Sequence, residues 1–178
     1  MFSFNESDLG IDVLHTPQEH ADFIKEFGAY LAELNLPTRM LLGDNSDATT
    51  FDFILPALNN LETHKYIGAV SFHSWRGCDD VTLKKWADAA KAINVPLLVG
   101  EGSTDAAAHG YAEIFNESTF ALYEINLYTR ICAICQPLSI LQWQLTSDYS
   151  LLWGDGIYGS KGCLLYTSPS PRDISGSR

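Results

Sequence analysis

Along this chain, short runs of aliphatic, β-branched and aromatic residues alternate with longer segments whose apolar residues recur at helical spacing. That alternation is the tightest constraint on the fold, because strand, crossover helix and parallel neighbour repeated in turn build an α/β structure around a parallel sheet. The chain opens on a stub of strand, Met1 to Asn5, followed by a loop through Asp8 and Gly10. A helix is predicted to start at Thr16-Pro17-Gln18-Glu19, where Thr16 caps, Pro17 suits the first turn and Glu19 completes a capping box; it runs to about Leu34.

The pattern then repeats. A strand over Thr38 to Leu42 ends in Gly43-Asp44-Asn45-Ser46-Asp47, and a helical stretch from Thr49 to Glu62 is interrupted at Pro56. A third strand covers Ile67 to His73, and a helix over Val81 to Ile93 carries Leu83, Trp86, Ala87 and Ala90 on one face. A strand over Pro96 to Gly100 delivers Glu101. A helix from Phe115 to Cys135 precedes a last strand, Leu138 to Leu145.

Five strands could make an open sheet, but no phosphate-binding glycine loop follows any of them, and Met1 falls inside a strand. The reading is therefore a partial (β/α)8 TIM barrel of the α/β class, with five parallel strands and about four helices, lacking the first three strand-helix units. Residues 1–162 are assigned to this C-terminal half of a barrel. Residues 163–178 switch to a Ser-, Pro- and Arg-rich stretch without hydrophobic period, and CLLYTSPSPRD resembles the translation of a sequencing-library adapter. This segment is expected to be a disordered, non-native tail.

Charge narrows the partners. A formal net charge of -11 argues against an electrostatic grip on nucleic acid or anionic lipid, either of which needs clustered Lys and Arg. No run approaches the roughly 18 apolar residues of a membrane span. Localisation and oligomeric state are not written in the sequence, although a secreted or periplasmic setting is compatible with it. Cys132 and Cys135 form one CxxC at the end of a helix with no second half of a zinc site, and read as core cysteines.

In a barrel, chemistry is assembled at the C-terminal ends of strands. The residues there are Asn5-Glu6, Gly43-Asp44, His73-Ser74-Trp75, Glu101-Gly102-Ser103 and Trp143-Gln144. Carboxylates, a histidine, amides and tryptophans suit sugar chemistry. Cleaving a glycosidic bond with retention takes one carboxylic acid to protonate the leaving oxygen and one carboxylate to attack the anomeric carbon, about 5 to 5.5 Å apart. Glu6 and Glu101, 95 residues apart, can supply the pair only if the tertiary fold brings them together.

These residues carry a family resemblance. FNES at residues 4–7 resembles the Asn-Glu that ends the fourth strand of clan A retaining glycoside hydrolases, and LLVGEGS at residues 97–103 resembles the seventh-strand end bearing their nucleophile. The resemblance implies that Glu6 is the general acid/base, Glu101 the nucleophile and Asn5 the amide contacting the 2-hydroxyl of a carbohydrate substrate. It further implies a glycosidase acting on a β-linked glycan or glycoconjugate by double displacement, without cofactor or metal. Within that clan the chain resembles the glucosylceramidase and xylanase group. On this scheme Glu6 is held protonated by burial and by the charge of Glu101.

SFHSWRG at residues 71–77 resembles a sixth-strand end. His73 is expected to orient Glu101, to bond sugar hydroxyls, or to be a satisfied structural histidine. Trp143 resembles the tryptophan that forms a sugar platform, with a core role as the alternative, and Trp75 is similarly placed. Asp44 and Asp47 could bind substrate hydroxyls or cap the following helix. The rival readings are a non-catalytic carbohydrate-binding or inactive truncated barrel, and a metal-dependent barrel using Asp44, His73 and Glu101, whose spacing matches no recognisable ligand pattern.

Overall fold

A computed structural model describes residues 1–103, 118–142, 152–154 and 160–163. Its centre is a parallel sheet of four strands: β1 (Met40–Asn45), β2 (Ile67–His73), β3 (Leu97–Gly102) and β4 (Ser139–Gln142), in the order β1-β2-β3-β4. Each strand lies beside its predecessor. Among the described residues no reversal of order interrupts the sheet, and a continuous arc of a (β/α)8 barrel accounts for the arrangement. The strands are buried as apolar runs on both faces, as parallel strands are, with Leu42, Val70, Phe72 and Val99 at 0% exposure.

The predicted first strand is reduced to one parallel bridge, Phe2 with Met40. Two backbone bonds hold it there, from the Phe2 amide to Arg39 and from the Leu41 amide to Phe2. Side chains do the rest. Phe2 and Phe4 pack edge to face at 5.5 Å, Phe4 lies 4.9 Å from Phe23, and Phe23 stacks on Phe27 at 5.3 Å. This aromatic row clamps the opening segment onto the first helix, which fixes where the chain enters Glu6.

Helix α1 spans Pro17–Glu33, with the capping box between Thr16 and Glu19 as the sequence predicts. His20, Ile24, Gly28 and Leu31 recur along its buried face. Gly28 is required by close approach, since a Cβ there would meet the Tyr66 Cβ at 2.6 Å. The helical stretch after β1 is broken into a 3-10 turn (Ala48–Ile54), α2 (Leu55–Leu58) and α3 (Leu61–His64). Asp47 caps the first of these by accepting from the Thr49 amide at 2.8 Å and pairs with Arg76 at 3.2 Å, so the helix-capping alternative describes it.

Helix α4 (Asp80–Ala92) packs Leu83 and Trp86 into the core. Trp86 stacks on Phe72 at 5.1 Å, meets Phe51 edge-on, and donates its indole N–H to the Ala48 carbonyl at 2.9 Å. Helix α5 (Ser118–Cys135) follows, burying Ile131 and Cys135, while Cys132 is exposed. A short antiparallel pair, β5 (Leu152–Gly154) with β6 (Ser160–Cys163), completes the described elements. Among the described residues no helix is long and apolar enough to cross a membrane.

Candidate active site

Four residues distant in sequence converge at the C-terminal end of the sheet: Glu6, Asp44, His73 and Glu101. Each is delivered by a local device. Glu6 turns in from the Phe-clamped segment with φ 48, its amide bonded to the Asp44 carbonyl at 3.1 Å. Asp44 sits on a bulge of β1, where Gly43 pairs with Ser71 and Asn45 with Phe72, and it adopts φ 63. Such a bulge redirects a side chain that regular pleating would aim elsewhere.

His73 ends β2 and is the register partner of Glu101 on β3. The serines lock these two ends together: the Ser74 amide donates to the Glu101 carbonyl at 2.9 Å, and the Ser74 hydroxyl bridges the Ser103 amide and carbonyl at 2.9 and 2.7 Å.

His73 is the centre of the cluster. Its Nδ1 lies 2.9 Å from Glu6 Oε1 and 3.3 Å from Glu101 Oε2, and its Nε2 lies 3.4 Å from Asp44 Oδ1. The ring is 1% exposed, whereas the three carboxylate side chains keep 12%, 12% and 18%. Burial alone would drive the imidazole toward neutrality, but the hydrogen bonds it gives to Asp44 and Glu6 and the charge of Glu101 outweigh it, and its pKa is raised to about 9. At neutral pH the ring is a cation between three acids.

The acids respond individually. For Asp44, burial works upward, but His73, Ser3 and Ser71 overcome it and hold the carboxyl below its usual value. Ser3 donates to Oδ2 at 2.6 Å and Ser71 to Oδ1 at 3.0 Å, so Asp44 spends its oxygens inside the cluster. For Glu101, burial pushes the carboxyl up, with His73 and Trp75 pulling it back only in part. Trp75 donates its indole N–H to Glu101 Oε2 at 3.1 Å and is 8% exposed, a position suited to orienting the carboxylate.

A ring nitrogen and one oxygen each from Glu6 and Glu101 all lie within 4.8 Å of one another. The set has donors of the types that hold a divalent cation, and as the groups stand both ring nitrogens face carboxylates, so a cation would have to displace the imidazole proton to bind here.

The sequence anticipated Glu6, Glu101, His73, Trp75 and Asp44, and the fold brings all five together. Asn5 is exposed beside Glu6. Trp143, and Gln144 with it, lie outside the described residues. Sequence reasoning missed Ser71, Ser3 and Gly100. Ser71 had a readable signal, a hydroxyl two residues before His73 and so on the same face of the strand. Gly100 had none. A Cβ there would come within 2.5 Å of Asp44 Oδ1 and 2.8 Å of the Ser71 hydroxyl, so glycine leaves room for the Asp44 carboxylate. A cavity of about 430 Å³ lies between Ser74, Trp75, Cys78 and the Tyr123 and Arg130 side chains of α5, and none of Glu6, Asp44, His73 and Glu101 lines it.

No family model matches this sequence, and no curated protein does. Among solved structures the chain is similar to a GH30 endoxylanase from Clostridium papyrosolvens C71, with a TM-score of 0.58 and 17% identity. The match covers 83% of this chain and 34% of that one, so the chain spans about a third of the length of that neighbour. Likeness at this identity concerns the fold, and a partial (β/α)8 barrel is the fold it fits.

Proposed function

We propose that this chain carries the catalytic pair of a retaining glycoside hydrolase, with Glu6 as general acid/base and Glu101 as nucleophile toward a carbohydrate substrate. The observation that carries this reading is the approach of the two carboxylates, whose facing oxygens lie within 4.8 Å. Retention requires a separation of about 5 to 5.5 Å, whereas inversion leaves room for a water at roughly 6.5 to 9.5 Å. Similarity to a fold that houses an endoxylanase supports the same class.

In the first half-reaction Glu101 attacks the anomeric carbon while Glu6 protonates the departing oxygen. In the second, Glu6 takes a proton from the water that releases the sugar from Glu101. Trp75 and His73 hold Glu101 in line for attack. Asn5, next to Glu6, is the amide available to the 2-hydroxyl, and Asp44 supports the pair through His73.

A 2-deoxy-2-fluoroglycoside with an activated leaving group tests this directly. Peptide mass spectrometry should locate the trapped sugar on Glu101, and Glu101→Gln should take up none. A label on another residue, or turnover unchanged in Glu101→Gln, would end the assignment.

A further inference from the structure

We propose that Asp44 and His73 form a proton store for the catalytic pair: Asp44 anchors the ring at Nε2, and the proton on Nδ1 passes to Glu6 for delivery to the leaving oxygen. The proposal rests on the glycosidase reading above and adds to it a source for the acid's proton.

The geometry points one way. Nδ1 faces Glu6 Oε1 at 2.9 Å and Glu101 Oε2 at 3.3 Å, and Nε2 faces Asp44 Oδ1 at 3.4 Å. With acceptors at both nitrogens, the ring meets every neighbour as a donor only when both nitrogens are protonated; a neutral ring would turn a bare lone pair toward a carboxylate. The charged or titratable groups facing it are Glu6 from the opening segment, Asp44 from β1 and Glu101 from β3. His20 of α1 feels the charge of Asp44, but its Nε2 accepts the Gly43 amide at 3.1 Å and burial lowers its pKa to about 4, so it contributes no competing cation at neutral pH.

Asp44 is fixed before it meets His73. Ser3 and Ser71 occupy its oxygens, Gly100 vacates the space beside it, and the β1 bulge sets its direction. A carboxylate held on the far side of an imidazole sets the ring's orientation and stabilises its cation, leaving the opposite N–H to move.

The proton count closes over one turnover. The Nδ1 proton crosses to Glu6 Oε1, and a turn of that carboxyl presents it to the glycosidic oxygen as the C–O bond breaks and Glu101 bonds the anomeric carbon. Water then adds to that carbon and frees Glu101. Its proton goes to Glu6 and back to Nδ1. Glu6 and His73 thus share one transferable proton, which reacts from Glu6. The store stays filled until His73 titrates, near pH 9.

The test compares kcat/KM against pH for the full chain on an alkyl glycoside, whose leaving group needs a proton, and on a dinitrophenyl glycoside, whose leaving group does not. With the alkyl substrate the rate should hold toward pH 9 and then fall. Asp44→Asn should move that basic limb down by about one pH unit or more. His73→Asn should lose about a hundredfold or more on the alkyl substrate beyond whatever it loses on the dinitrophenyl one, where the missing contact to Glu101 is the only loss. A basic limb left in place by both variants overturns the store while the hydrolase stands.

Histidine-selective 15N NMR reads the same ring without any sugar and reports folding of each variant in the same spectrum. Both His73 nitrogens should carry protons at neutral pH, with earlier loss in Asp44→Asn. A singly protonated ring at pH 7 overturns the proposal. Failure to turn over any glycoside would count against the hydrolase itself and remove the delivery step with it.

Discussion

His20 and His73 are buried imidazoles at the same end of the sheet, 3% and 1% exposed, whose proton affinities are driven in opposite directions. His20 loses hydration and feels the charge of His15, which Asp8 and Asp44 offset only in part, and with Nε2 accepting the Gly43 amide its pKa falls to about 4. His73 is as deeply buried but faces three carboxylates, and its pKa rises to about 9. Burial is the common term. The partners decide the sign.

Stability should therefore peak near the ordinary histidine pKa. Below about 6.5 the unfolded chain takes up a proton that His20 refuses in the fold, so stability falls as pH drops toward 4. Above 6.5 the unfolded chain releases a proton that folded His73 keeps, so its contribution is lost as pH rises through 9. Urea unfolding at intervals across this range should give a single maximum, and His73→Asn should flatten the alkaline side. An unfolding free energy that is level from 6.5 to 9 would show that His73 is not ion-paired.

Removing the carboxylates should separate their roles. Glu101→Gln is expected to reduce turnover by more than about a thousandfold on every glycoside. Glu6→Ala should lower kcat/KM only where the leaving group needs protonation, sparing kcat/KM on a dinitrophenyl glycoside while kcat falls there as the glycosyl intermediate waits for its base. Equal losses of kcat/KM on both substrates in Glu6→Ala would remove it from the acid role.

Trp75→Phe keeps an aromatic ring but removes the donor that lies 3.1 Å from Glu101 Oε2. That bond is one of the two influences holding the Glu101 carboxyl down against burial. Its loss should move the acid limb of kcat/KM to higher pH, since the nucleophile must be ionised. A limb that stays fixed would mean that Trp75 supports packing alone.

Gly100→Ala tests the room made for Asp44. The added Cβ would crowd Asp44 Oδ1 at 2.5 Å and the Ser71 hydroxyl at 2.8 Å, with no positive φ to confuse the cause. A cost of about 1 to 3 kcal/mol in unfolding free energy is expected for such overpacking. The His73 15N resonances should shift with it as the Asp44 contact is displaced.

The helix starts and the strand order were legible because their signals are local. Thr16, Pro17 and Glu19 form their capping box within one turn, and Ile67 to His73 is a strand from end to end. The opening strand was over-read: Met1 to Asn5 has a strand's composition, but a single bridge at Phe2 is what its pairing with β1 yields. The helical stretch expected over Thr49 to Glu62 does break near Pro56, which falls in the first turn of α2, but it breaks a second time as well. The polar caps Asp47 and Asn60 and the break at Asn59 divide it into short pieces.

Hydrophobic period and capping act over a few neighbouring residues, which is why the parallel α/β class, the capped helices and the acids that follow the strands can be read from the chain. That one imidazole nitrogen stands between Glu6 and Glu101 with Asp44 behind it is a product of folding. That arrangement depends on the Phe2–Phe4 clamp, the bulge at Asp44, the register of His73 with Glu101 and the space left at Gly100. Each is a contact between segments far apart in the chain. Charges at 3 Å interact strongly only once such contacts have fixed the distance and removed the water.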